Sequence, residues 1–240
     1  MNYRDMTVRE LLALAPPGWG GALLDGLWLS LQLAGGGYLL GLLIGMAGAA
    51  GKLSGGPVTR DLLGCYTTVI RAVPELVLIL LLYFAAPRAL NSLLIVLGLG
   101  EVNIGPFASG VAVIALVQGA YATEVMRGAI RAIPYGQIEA AYSLGMSTAK
   151  TFRRITWPAM LPGALPGLSN LWLIATKDTA LLAVVGFTEL TLAARQAAGA
   201  TKHYLLFLCA AGGLYLFVSL ISNGVFKALE RHATRGSQHG

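Results

Sequence analysis

Charge is scarce in this chain. Only 12% of its 240 residues are charged, about half the roughly 25% that a soluble domain needs to face water. An ordinary soluble domain is therefore excluded. Cysteine is scarcer still: Cys65 and Cys209 each sit in an apolar run with no ligand-like neighbour. Both are expected to be small buried side chains without metal or redox work. The three histidines, His203, His232 and His239, fall outside the apolar blocks, and no Ser/His or metal-ligand set converges. That argues against an intramembrane enzyme. The stretch AGGGYLLG lies inside an apolar block and lacks the Gly-Lys-Ser/Thr ending of a phosphate loop. No charged leader runs into a short apolar core near the N-terminus, where Asp5 and Glu10 punctuate the chain. A short amphipathic lead-in is expected there instead of a signal peptide.

What is abundant is apolar: 56% of residues are hydrophobic and the mean hydropathy is +0.69. A helix rising ~1.5 Å per residue crosses a bilayer in about 20 apolar residues. Five blocks qualify: Gly26 to Gly51; Asp61 to Arg88, interrupted by Arg71 and Glu75; Val102 to Thr123; the stretch after Arg154 to Thr176, resuming to Thr188; and Tyr204 to Phe226. Pro158, Pro162 and Pro166 precede the apolar core of the fourth, so that span is expected to start near Pro166. The chain reads as an all-α integral membrane protein with five transmembrane helices.

The net charge is +6, with 17 Lys and Arg against 11 Asp and Glu. The basic residues lie between apolar blocks, as topology signals beside anionic lipid do, and not as a nucleic-acid surface does. With the N-terminus outside, the inner segments hold Lys52, Arg60, Arg127, Arg131, Lys150, Arg153, Arg154, Lys227, Arg231 and Arg235. The outer ones hold Arg4, Arg9, Arg88, Arg195 and Lys202. This two-to-one bias predicts an outside N-terminus and a cytoplasmic C-terminus. Gly37, Gly41 and Gly45 share one helical face. They either admit a neighbouring helix closely or reflect the general glycine content of membrane helices.

Between two apolar blocks lies EVMRGAIRAIPYGQIEAAYSLGMSTAKTFRRITWPAMLP, from Glu124 to Pro162. Pro134 and Gly136 stop and restart a helix. Gln137 to Tyr142 then forms a short one with Ile138, Ala141 and Tyr142 on one side, and Gly145 ends it or turns it. A second helix with Lys150, Phe152, Arg153, Arg154 and Ile155 follows and is expected to stop at Pro158. Such an elbow suits a soluble partner, whose groove would take the Ala140 and Ala141 face while Glu139 offers a carboxylate. It suits equally an interfacial helix lying on lipid through Arg153 and Arg154.

Charges inside the blocks are costly, about 2.5 kcal/mol or more each at the bilayer centre. Arg71 and Glu75, four apart, should share a helix face, with Pro74 between them freeing a backbone carbonyl. This segment is either a pathway or gate element or a structural ion pair. Glu124 and Arg127 either pair within the bundle or sit at the inner boundary. Lys177 and Asp178 are about 100° apart on a helix. Asp178 either neutralises Lys177 across the bundle or caps a helix restarted at Thr179. In a pathway, Glu75 would favour a cationic amino acid and Arg71 its α-carboxylate.

Glu139-Ala140-Ala141, Gly145, Ile155 and Pro158 stand at the spacing of the EAA loop and resemble the membrane subunits of bacterial ABC importers. Trp157 departs from the pattern, which usually has leucine before the proline. YTTVIRAVPELVLILLLYF (Tyr66 to Phe84), GAYATEVMRGAIRAIPYGQIEAA (Gly119 to Ala141) and LPGLSNLWLIATKDTALLAVVG (Leu165 to Gly186) are similar to polar amino acid permeases. In the first of these segments the family commonly has glycine where Ala72 stands. The nearest resemblance is to permeases for histidine, lysine, arginine and ornithine or opines, over roughly residues 21 to 232. It implies a type I importer permease fold with a lead-in at 1–20, a transmembrane domain at 21–232 and a cytoplasmic tail at 233–240. It also implies a second permease or a second copy, two cytoplasmic ATPase subunits that use ATP and Mg2+, and an extracytoplasmic solute-binding protein. This chain would be a non-catalytic inner-membrane subunit binding no cofactor. Glu139, Ala140, Ala141, Gly145, Ile155 and Pro158 would couple to an ATPase. Lys177 would take a gate-side or helix-interface role. The rivals are an ion-coupled carrier and a structural membrane subunit without a pathway.

Overall fold

The structure is a computed structural model that describes residues 6–235; Arg4, the rest of residues 1–5, residues 236–240 and the side chain of Arg235 lie outside the described residues. Every regular element among the described residues is helical. Helix α1 (Val8–Leu11) is closed by a capping box in which the Glu10 carboxylate accepts from the Thr7 backbone N–H at 2.7 Å. That bond, more than any other contact, holds the Glu10 carboxyl below its usual range. Leu11 turns inward against α2 (Gly20–Ser54). Helices α3 (Pro57–Ala72), α4 (Glu75–Val96) and α5 (Pro106–Arg131) follow. Next come the elbow helices α6 (Tyr135–Ser143) and α7 (Thr148–Thr151), a π-helical turn over Phe152–Thr156, and α8 (Trp157–Asp178). A 3-10 turn (Thr179–Val185), α9 (Leu190–Thr201) and α10 (Tyr204–Arg235) complete the chain.

Among the described residues five segments are long and apolar enough to cross a membrane: α2, α4, α5, the continuous stretch Thr148–Val185, and α10. The expected number is therefore right, but two boundaries are not. The second block is two helices. Val73 and Pro74 are extended, with ψ of 139° and 133°, because the proline ring disfavours helical geometry at the residue before it. The span is α4, reaching Val96, and α3 is a separate helix before it. Arg71 and Glu75 consequently do not share a helix face. The fourth span does not wait for Pro166, nor does the elbow's second helix stop at Pro158. The π-turn places the Trp157 N–H on the Phe152 carbonyl, so Pro158 falls in the first turn of α8, where a missing donor does no harm. Helix α9, with Ala193, Ala194, Ala197 and Ala198 buried, lies in a segment read from sequence as an outer connection. Cys65 and Cys209 are both exposed; each lies on an outward helix face, so an apolar neighbourhood in sequence did not mean burial in this subunit.

The principal packing is α2 on α5. A Cβ on Gly37 would stand 2.5 Å from the Ile114 side chain, and one on Gly41 2.9 Å from Gln118 Cβ. On Gly45 it would strike Ala122 Cβ, and on Gly48 Thr123 Oγ1. Small residues are what let the two backbones approach this closely. Of the two explanations for the glycine row, the packing one applies. Gly45→Ala should destabilise the subunit by about 1–3 kcal/mol through overpacking, whereas Gly35→Ala, with open space around its Cβ, should be neutral. Thermal unfolding of the detergent-purified protein distinguishes the two.

Candidate functional site

The elbow is built from local rules. Pro134 at the N-cap starts α6, and Gly145, at φ +74°, ends it. The Met146 N–H donates to the Ala141 carbonyl at 3.1 Å and the Gly145 N–H to the Tyr142 carbonyl at 2.9 Å. Those two bonds are the Schellman pattern, and its left-handed residue favours glycine. Glu139, Ala140, Gly145 and Pro158 are exposed and Ile155 is half-buried. Ala141 is buried, with Ile138 beside it packed on the main core. The small face is thus not all offered outward: Ala141 seats the elbow on its own chain. What faces out beside Glu139 is apolar, with Leu144 83% and Tyr135 71% exposed. Sequence reasoning missed these two, although Leu144 sits directly before the turn glycine.

At the elbow end of α5, Glu124 holds two cations. Lys52 Nζ lies 2.6 Å from its Oε1 and Arg127 Nη2 2.6 Å from its Oε2. Lys52 also donates to Thr67 Oγ1 at 2.6 Å, so the network joins α2, α3 and α5. Of the two alternatives for Glu124 and Arg127, the structure shows the pair; Lys52, 72 residues away from Glu124, is in sequence only a topology signal.

Midway along the bundle lies a second cluster. Asp178, 7% exposed, accepts from Gln118 Nε2 at 3.1 Å. Glu75 interacts electrostatically with Asp178 and with Tyr121, and Arg71 acts on the same tyrosine. Gln118 is buried, and its Oε1 has no hydrogen-bond partner. Asp178 makes no side-chain cap on the helix that follows it, which removes one of its two expected roles. Arg71, Pro74 and Lys177 are exposed and Glu75 is half-buried, so only part of the charge set turns inward in this single chain. Gln118 and Tyr121 are the members that sequence reasoning did not name.

A third polar contact was missed altogether. Glu189 is fully buried. It accepts from Tyr215 Oη at 2.8 Å, from the Leu192 N–H at 2.9 Å and from Ser30 Oγ at 3.2 Å. It ties α2, α9 and α10 together. Among the described residues no group of three His, Cys, Asp or Glu side chains is placed to hold a metal.

A helical bundle with five candidate spans among the described residues and an exposed glycine-ended elbow defines the class, a multi-pass membrane protein. Residues 37–235 match the family model for binding-protein-dependent transport system inner membrane components, and the chain belongs to that family. It is similar to the histidine/lysine/arginine/ornithine transport system permease protein HisQ of Escherichia coli, at 38% identity over 91% of this chain and 96% of that one. It is 41% identical to the nopaline transport system permease protein NocQ of Agrobacterium fabrum, over 94% of this chain and 97% of that one. Among solved structures, an amino acid ABC transporter crystallised with histidines matches at 30% identity and a TM-score of 0.74, covering 89% of this chain and 95% of that one. The inward-facing MetNI methionine ABC transporter shares the fold at 15% identity and a TM-score of 0.72, over 91% and 99% of the two chains. The chain is accordingly an inner-membrane permease subunit of an ATP-driven importer, with a non-catalytic part in transport.

Removing the shared carboxylate should expose how much the inner network contributes. Glu124→Ala leaves Lys52 and Arg127 partly buried without a counter-charge, and should cost about 3 kcal/mol or more. Lys52→Met with Glu124→Leu should recover part of that loss, read as the unfolding midpoint of the purified subunit.

Proposed function

We propose that this permease moves basic amino acids or opines, with a second permease subunit or a copy of itself completing the pathway. Two cytoplasmic ATPase subunits drive it through the elbow, and an extracytoplasmic binding protein delivers the substrate. The N-terminus lies outside and the C-terminus in the cytoplasm. The observation that carries the mechanism is the unbroken run from Thr148 to Val185. α8 alone, at 22 residues, is about 33 Å long. It joins the elbow at one end to Asp178 at the other. Movement imposed on Glu139, Ala140, Gly145 and the exposed Leu144 is transmitted by that rod to the buried polar cluster, which is how ATPase closure alternates access. Ile155 and Pro158 form its root.

The substrate class follows from the chemistry of the cluster and agrees with the relatives' names. Asp178, Glu75 and the free Gln118 Oε1 are acceptors, which suits a donor-rich cation. Arg71 at the edge suits the α-carboxylate. Pro74 keeps the segment between them extended and opens its backbone to a ligand. Lys177, exposed beside Asp178, stands at the gate where a second subunit would meet the helix.

Leu144→Asp should lower ATP-driven uptake in proteoliposomes about tenfold or more, the effect of losing an interface anchor worth about 1.4 kcal/mol. Unchanged uptake would remove the elbow from the mechanism. In a Cys65→Ala, Cys209→Ala background, Leu144→Cys should react with an impermeant maleimide only from the cytoplasmic side. Glu75→Gln should reduce uptake of arginine or lysine more than it reduces recovery of the assembled complex; equal uptake would end the charge-selectivity argument.

A further inference from the structure

A groove of about 740 Å3 opens on the surface of the bundle beside the π-turn. Leu39, Leu43 and Met46 of α2 form one wall, and Phe152 and Trp157 the other; Arg153 is the only charged residue in the lining. Leu39 and Leu43 are 63% and 68% exposed and lie within a membrane-spanning helix, so in this single subunit the wall is open toward the bilayer. From Leu39 to Met46 it extends about 10 Å along the helix axis.

Two features distinguish the groove from an ordinary lipid-facing surface. The first is Trp157, at the first residue of α8. The π-turn bonds its N–H to the Phe152 carbonyl, five residues back. That register brings the two rings to 6.2 Å centroid to centroid, forming an aromatic wall of the kind that sits at headgroup level. The second is charge. Among the described residues, Lys150, Arg153 and Arg154 have no carboxylate within salt-bridge distance. An unpaired guanidinium at the rim of an apolar groove calls for an anion, and its planar fork matches a phosphate.

We propose that the groove binds an anionic phospholipid, one acyl chain lying along Leu39, Leu43 and Met46 and the phosphate held by Arg153. The leaflet is the one on the elbow side, which is cytoplasmic in the orientation proposed above. A soluble partner does not fit, because the α2 wall lies within a span. The lipid wedges α2 against the root of the helix that carries the elbow, so the anionic lipid content of the membrane bears on coupling.

The test uses the purified assembly, with its ATPase subunits, in nanodiscs of phosphatidylcholine alone or mixed in equal parts with phosphatidylglycerol. Retained lipid is read by native mass spectrometry after mild extraction. Phosphatidylglycerol should be retained in preference to phosphatidylcholine. Arg153→Gln should lower its retention about fivefold, the equivalent of about 1 kcal/mol for one basic residue at an anionic surface. Arg153→Lys should restore part of it, Leu43→Trp should displace the lipid with the arginine intact, and Lys227→Gln should change nothing. Equal retention of the two lipids, or no effect of Arg153→Gln, overturns the proposal. So does loss of the ATPase subunits from the Arg153→Gln assembly with phosphatidylglycerol still bound, since the arginine would then be a protein contact. Both leaflets of a nanodisc carry the same lipid, so this readout is independent of the orientation that maleimide labelling tests.

Discussion

The rest of the bundle depends on how closely α2 lies against α5. Lipid gives no hydrophobic reason for two helices to associate, so the pairing must come from contact, and contact is available only where side chains are absent. Gly37, Gly41, Gly45 and Gly48 supply it along a single ridge. One turn further, at the same face, stands Lys52, on Glu124. Backbone proximity along the ridge is what brings that ammonium within reach of α5. The same approach presses α2 against the Cβ of Gln118, whose amide reaches Asp178 on α8. Packing, ion pair and buried cluster are consequences of one row of missing side chains.

The elbow and the span it joins show a second use of backbone chemistry. Three prolines at intervals of four, Pro158, Pro162 and Pro166, weaken one side of a helix by removing donors from it. The helix persists because the π-turn absorbs the first and the surrounding bundle holds the other two, with Met160 and Ala164 buried between the prolines and Leu168 buried just after them. A helix missing donors on one side and packed on the other remains a rod that can bend in one direction. The coupling proposed above, from the elbow to Asp178, would need that property.

Much of this was legible in the sequence. Blocks of about 20 apolar residues give five spans, the four-residue glycine spacing gives the packing face of α2, and Pro134 with Gly145 gives the elbow. The break at Val73 and Pro74 was legible too, since the residue before a proline avoids the helical region; apolar flanks masked it and displaced the second span. The continuation of α8 through its prolines was not legible, because the compensating π-turn has no composition of its own. Glu189 was hidden for another reason. Its partners Ser30 and Tyr215 lie 159 and 26 residues away, and a lone carboxylate between Thr188 and Leu190 looks like the edge of a span.

The buried carboxylates differ in how fully they are satisfied. Glu124 has a cation on each oxygen. Glu189 has a backbone N–H on one oxygen and hydroxyls on the other. Each is a completed clasp, and a group already supplied with donors gains nothing from a ligand. At Asp178 the balance is reversed. One amide N–H reaches it, the oxygen of that same amide is unpaired, and Glu75 meets both Asp178 and the Tyr121 hydroxyl. An unpaired buried acceptor is costly, and the donor-rich cation proposed above would satisfy it. The clasps at Glu124 and Glu189 hold the scaffold, while the cluster at Asp178 keeps an unpaired acceptor that the cationic substrate proposed above would use.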